Sequence, residues 1–387
     1  MPFTQRTAFP LLLAVLALPG CHKNDFPEYT PDYREYAYVT NGGSNTVTIV
    51  DVVNVRIDRE LTVGQTPIAV AVNPTRNEAY VVNQGPANGS GSVSVIDAQS
   101  NSVAATIPVR RLPVSIEVDP AGELAYVANS GSNSISVVNL KDRREVAVLG
   151  TGEEPASARI APDGKTLVVA NRKGDSVTLV DAVTRQVRSV FEGCPGASDV
   201  VILPDSSKAL VACSAGHQVM VVTLVRAAQP ATPAAPDRLE ALLDVGQAPT
   251  HLTLKPDGGE TFAMNSASNT VSELYNSTDE VGATYLIGDN PVRGVVSYDN
   301  QFLYVANQHS QYVNLYAIDD GRRAGSVHVG DGPSALAFSA AGHLLFVVDS
   351  GSGDVAVVRT SSRSLFTLLP AGRSPNAIAV KAFKLVQ

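Results

Sequence analysis

A four-residue segment recurs along this chain at nearly constant spacing, and that period restricts the fold more than any other feature. Tyr38-Val39-Thr40-Asn41 returns in related form at 80–83, 126–129, 168–171, 211–214, 262–265, 304–307 and 346–349. Its last position falls at 41, 83, 129, 171, 214, 265, 307 and 349, in steps of 42, 46, 42, 43, 51, 42 and 42. The two long steps have visible causes. Residues 85–92 (GPANGSGS) are an insertion after the second copy. Residues 226–238 (RAAQPATPAAPDR) read as a Pro/Ala-rich surface loop.

Each unit has the same internal plan. In residues 63–107, Gly64-Gln65-Thr66-Pro67 breaks the chain and 68–72 is a short apolar strand. Residues 73–77 turn, 79–83 form a second strand, 92–97 an alternating third and 102–107 a fourth. Turn tokens such as Pro162-Asp163-Gly164 and Pro256-Asp257-Gly258 sit where the chain must reverse. No intervening segment has helical period, which excludes a βαβ scheme. Four short antiparallel strands per unit describe a propeller blade.

First strands start near Pro67, Pro113, Pro155, Pro195, Pro249, Pro291, Pro333 and Pro375, which makes eight. Tyr38 has no first strand before it, and 376–380 has no second strand after it. The two partial units complete one another. The sequence therefore predicts an all-β fold, an eight-bladed propeller of four-stranded blades closed 3+1 between the termini. Seven blades with one degenerate unit is the alternative.

Tyr38-Val39-Thr40-Asn41, with the G-x-x-P, P-D-G and V-x-V-x-D elements around it, resembles the YVTN-type β-propeller repeat proteins over about residues 36–385. The resemblance implies a secreted or surface propeller. Related propellers range from adhesive surface modules to lactonases and haem-binding domains, so the fold leaves function open.

The start of the chain reads as a targeting segment. Arg6 supplies a positive n-region, and the apolar run 11–18 is too short to cross a bilayer of about 30 Å. Leu18-Pro19-Gly20-Cys21 resembles a bacterial lipobox. The resemblance implies cleavage after residue 20 and a lipid on Cys21. Residues 1–20 are thus expected to be a signal peptide, 21–35 the lipidated Cys and a flexible tether, and 36–387 a single propeller domain. An ordinary signal peptide with an incidental Cys is the other reading. His22 after the Cys implies, by the same resemblance, the outer membrane. The remaining sequence has no run long enough for a transmembrane helix.

The net charge of −8 and the isolation of the pairs 110–111, 143–144 and 322–323 argue against nucleic-acid binding. The sequence holds no G-x-S-x-G, no H-E-x-x-H and no P-loop. The Asn that ends most copies of the repeat reads as structural, since chemistry would need it once.

The units are most informative where they disagree. Two residues beyond the Pro that opens each innermost strand stand Ala69, Ser115, Ser157, His251, Arg293, Ala335 and Ala377; in the unit opened by Pro195, aligned from the following turn because Gly196-Ala197 adds two residues, the matching position is Asp199. Asp199, His251 and Arg293 fall on consecutive blades and should share one level of the central channel. Glu117 and Arg159 stand two residues deeper, and Arg111 lies in a loop above. These six residues are the candidate ligand-binding set at the channel mouth. A row of channel residues touching only water is the alternative.

Cys194 and Cys213 are expected at the same end of one blade. An exported compartment allows them a disulfide; two buried thiols are the other reading. They are not C-x-x-C, and no metal site is expected. No cofactor is expected either. A haem-type cofactor would need an axial ligand, and His251 is the His in a channel-facing position. The reading that asks least of the residues is an envelope binding module, with an envelope protein or a polysaccharide as partner. A lactonase-like or haem-type propeller enzyme is the alternative.

Overall fold

A computed structural model describes residues 27–225 and 235–385. Cys21, the targeting segment and most of the 226–238 loop lie outside the described residues.

The chain forms eight four-stranded antiparallel sheets. We number the blades by their innermost strands: Pro67–Val72 (blade 1), Pro113–Val118 (2), Pro155–Ile160 (3), Ala197–Ile202 (4), Pro249–Leu254 (5), Pro291–Val296 (6), Pro333–Phe338 (7) and Pro375–Lys384 (8). Each innermost strand touches the next, and that of blade 8 touches that of blade 1, so the ring closes. Blade 8 takes its other three strands from the start of the domain: Tyr33–Asn41, Thr46–Asp51 and Arg56–Thr62. Tyr38 faces Ala379 and Tyr33 faces Lys384 across the joint. The protein is thus an eight-bladed β-propeller with 3+1 closure. Closure removes the open edges that would otherwise template aggregation.

The sequence pattern explains the layers. Second strands such as Glu78–Asn83 and Thr166–Asn171 are buried along almost their whole length, because neighbouring blades cover both faces. They read as continuous apolar runs. Outermost strands such as Glu280–Leu286 alternate, since one face meets water. The core is divided into clusters that bridge adjacent blades. One joins Val168, Val177 and Leu179 of blade 3 to Val200, Val211 and Met220 of blade 4.

The recurring Asn is structural. It ends the second strand, and its Nδ2 donates across the ladder to the third. Asn41 donates to Thr46 and Thr48, Asn171 to Ser176 and Thr178, and Asn265 to Thr270 and Ser272. In blade 4 the four-residue match places Ser214 in this position, but the strand pairing moves it to Cys213, the regular 42 residues after Asn171. Cys213 faces Ala197 and Gln218, as the Asn does elsewhere. Pro195 lies two residues before the innermost strand here, and Ala197 stands where other blades have Pro. Cys194 and Cys213 form a disulfide and are both fully buried.

A β-bulge follows the first residue of each innermost strand, as between Pro249 and His251. Proline has no N–H for the ladder, and a bulge is where the ladder tolerates that. In blade 4 Ala197 faces Cys213 and Val200 faces Val211, so Asp199 occupies the level of His251 and Arg293.

Candidate functional site

The channel mouth lies at the end of the ring where innermost strands begin. Its loops are tied by residues in the left-handed region. Asn133 (φ 49°) accepts from the Glu154 N–H, and Asn269 (φ 60°) from the Asn290 N–H. Asn tolerates that conformation better than most residues.

Below this rim, five polar side chains from five consecutive blades join into one chain. Arg159 Nη1 donates to Glu117 Oε2 at 2.7 Å. Its Nη2 lies 3.8 Å from Asp199 Oδ1. Asp199 Oδ2 lies 2.6 Å from His251 Nδ1, and Arg293 Nη1 lies 2.9 Å from the same nitrogen. Two further donors hold Asp199: Ser157 Oγ at 3.2 Å and the Leu252 backbone N–H at 3.2 Å. The two levels read from the sequence are therefore one network, with Arg159 as the link. Arg111 stands outside it, exposed on the rim, where its backbone N–H donates to Ser132.

Charge follows from these contacts. Burial by itself would raise the Asp199 carboxyl. The interaction with His251 and the charges of Arg159 and Arg293 more than offset that, and the group is held well below the usual carboxylate range. Glu117 is the main cause that raises Arg159. Burial is the first cause that lowers His251, and the nearby Arg293 charge the second; Asp199 opposes both. The directions are consistent with one arrangement. An ionised carboxylate at 2.6 Å requires the proton on Nδ1. Arg293 then faces that nitrogen as a like-signed neighbour, which keeps the ring neutral. Nε2 carries the lone pair, and no protein group among the described residues hydrogen-bonds it. Arg293 is walled by blades yet reached by channel water, and burial draws its guanidinium down only from a very high ordinary value. It remains a cation.

His251 and Arg293 line a channel cavity of about 360 Å³. The rest of its wall is mostly apolar, including Leu252, Val295, Leu336 and Ile378. A second cavity of about 290 Å³ lies beside Glu117 and Arg159. The arrangement can bind an acidic group at Arg293, accept a hydrogen bond or a metal at Nε2, and cover an apolar body. A nucleophile paired with His251 is absent among the described residues, and no cluster of metal-ligating side chains occurs among them.

Sequence reasoning missed Leu252, whose backbone gives no residue-type signal. It also missed the pair Asp349–Asp354 in blade 7. Asp349 faces Asp354 across the ladder at the position of the recurring Asn. The only signal was a single Asn-to-Asp change within a repeat.

No family model and no curated protein matches the chain. Solved structures do. Dihydro-heme d1 dehydrogenase NirN in complex with DHE superposes with a TM-score of 0.68 at 16% identity, covering 89% of this chain and 74% of that one. Apo AztD from Citrobacter koseri gives 0.65 at 14% identity, covering 90% and 98%. Kuenenia stuttgartiensis hydrazine synthase gives 0.59 at 23%, covering 84% and 92%. At such identities the likeness is one of fold alone.

Proposed function

We propose that this propeller is a YVTN-type repeat protein, exported and lipid-anchored through Cys21, that acts as a binding module of the bacterial cell envelope. Its partner, an envelope protein or a polysaccharide, presents an acidic group to the channel mouth. The observation that carries this reading is the Arg293–His251 pair opening into a mostly apolar cavity. A cation fixed beside a neutral imidazole selects an anion, and the apolar wall covers what the anion is attached to. The resemblance of Leu18–Cys21 to a lipobox supports the address. So does the disulfide, since such bonds persist in oxidising compartments.

The test uses full-length protein made in a bacterial envelope. Cross-linked or co-purified partners are compared with those of a His251→Ala/Arg293→Ala variant that melts as the parent does. Loss of the partner in the variant is expected. An unchanged partner set would remove the channel mouth from the function. Cys21→Ser should move the protein from the membrane fraction to the soluble one.

The lone pair on His251 Nε2 favours one second reading, a haem-type cofactor in the channel. His251 Nε2 would supply a nitrogen ligand to the iron; the fold neighbour NirN is a dihydro-heme d1 dehydrogenase in complex with DHE. Visible absorbance of the purified protein, lost in His251→Ala, would establish it over the binding module.

A further inference from the structure

The end of the ring opposite the channel mouth carries a feature that the mouth's chemistry does not explain. The chain enters the domain there, and it is pinned rather than loose. Tyr29 Oη is hydrogen-bonded to His343 Nε2 at 3.1 Å. The rings of Tyr29 and Tyr33 stack at 4.8 Å, and the Leu385 N–H donates to the Asp32 carbonyl. Tyr33 Oη donates to buried Glu35, which accepts from the Ala340 N–H in the same turn of blade 7 as His343.

Directly beside this docking point is a cleft of about 360 Å³ between blades 6 and 7, lined by Tyr298, Asp299, Phe302, Tyr304, Thr360 and Arg363. Tyr298 packs over Gly342, where a side chain would collide with its ring. Tyr298 and Phe302 depart from the repeat. Blades 1 to 5 have Pro74, Pro120, Pro162, Pro204 and Pro256 where blade 6 has Tyr298, and Tyr298 is 57% exposed. At the level of Phe302 and Arg363, two other pairs of neighbouring blades form ion pairs, Arg143 with Glu78 and Lys208 with Asp279. Here the Arg363 guanidinium lies 4.1 Å above the Phe302 ring instead. The result is an exposed patch of amphipathic groups, each with an apolar body and a polar tip. Tyrosine and arginine of this kind suit a bilayer interface.

We propose that this face rests on the headgroup surface of the anchoring bilayer, with Tyr298 and Arg363 at the lipid interface and the channel mouth turned away from it. The inference rests on the lipid-anchor reading of Cys21. Chain length fits it. Tyr29 follows Cys21 by eight residues. Fully extended they reach at most roughly 28 Å, at about 3.5 Å per residue. A tether that short, leaving from this face, can hold the bilayer only on this side of the ring.

The chain contains no Trp, so a single introduced Trp is an unambiguous reporter. Tyr298→Trp and, on the exposed mouth rim, Lys173→Trp would each be placed in vesicles of phosphatidylcholine with brominated acyl chains. We expect the emission of the Tyr298→Trp variant to be quenched about twofold relative to unbrominated vesicles, as for a ring at the interface, and that of the Lys173→Trp variant to be unchanged. Quenching at the rim, or at neither position, overturns the proposal. The mass of the same sample reports lipid on Cys21. If no lipid is found, the anchor reading fails by itself. The face is then judged with unlipidated protein and added vesicles, where a blue shift in the emission of the Tyr298→Trp variant upholds it and none overturns it.

Discussion

Blades 4 and 7 are the two that lack the recurring Asn, and they replace it in different ways. In blade 4 the replacement is covalent, through the bond from Cys213 to Cys194. In blade 7 it is a carboxyl pair. Asp349 faces Asp354 and accepts from the Gly330 N–H at 2.9 Å. Burial and then Asp354 push the Asp349 carboxyl up to about 8, so Asp349 keeps its proton at neutral pH. A protonated carboxyl can donate across the ladder, as the amide does in other blades. The position therefore demands a neutral tie between second and third strands, not an amide as such. Blade 4 also holds the counterexample. Asp199 is nearly as buried as Asp349, yet it is held ionised. Two arginines, a histidine, a hydroxyl and a backbone N–H surround it. What surrounds a buried carboxyl decides its charge, and burial alone does not.

This contrast can be broken most forcefully at the disulfide. It closes a loop of 19 positions, for which chain entropy gives about 3 kcal/mol. Cys194→Ala/Cys213→Ala should lower the urea midpoint accordingly. Cys194→Ala/Cys213→Asn should recover part of the loss, since it restores the amide. No recovery would mean that blade 4 has moved beyond what an Asn can tie.

Asp199→Ala should come next. It leaves Arg159 and Arg293 without their shared carboxylate and releases His251. Removing one partner of a buried network costs several kcal/mol, reduced here by channel water to about 2–3 kcal/mol. Chemical unfolding measures it. A loss below about 1 kcal/mol would show the network to be loosely held.

Asp349→Asn should act in the opposite direction. The folded-state value lies above the unfolded one, so the native protein keeps a proton that the unfolded chain releases. Stability from this group falls as pH rises from about 4 to about 8. The Asn variant should therefore gain about 2 kcal/mol at pH 8 and above, and nothing near pH 4. A variant less stable than the parent at pH 8 would refute the retained proton on Asp349.

The smallest effect belongs to His251. Its folded value is lowered, so the unfolded chain binds the proton first as pH falls. The stability it contributes is full above about pH 6.5 and is lost on acidification. His251→Asn should flatten the stability change between pH 7 and pH 5 by about 1 kcal/mol or less. A parent that is more stable at pH 5 than at pH 7 would mean that the ring is charged in the channel.

How much of this could be read in the sequence varied with the physics involved. The ring was legible because the repeat holds its period through two insertions. The level shared by Asp199, His251 and Arg293 was legible because strand register makes a residue count into a height. The joining of two levels by Arg159 was not, because a long side chain reaches across registers that counting keeps apart. The placing of Cys213 rather than Ser214 was hidden because a Cys stands where the Asn recurs and a Ser follows it, so residue type pointed one position past the regular spacing. The cleft at Tyr298 and Arg363 lies in turns, where sequence shows only that the chain reverses.

The pairing of Tyr33 with Lys384 has a consequence for the order of events in biogenesis. Strands within a blade can pair soon after synthesis, because their partners are close in the chain. The seam in blade 8 joins the first described strand to the last, the kind of contact that forms slowest. Until the strand 375–384 has been made and has paired with 33–41, the ring is an unlocked arc with two bare edges. Pairing of 375–384 is thus the step that closes the ring, and a chain lacking that strand has no means of imitating it.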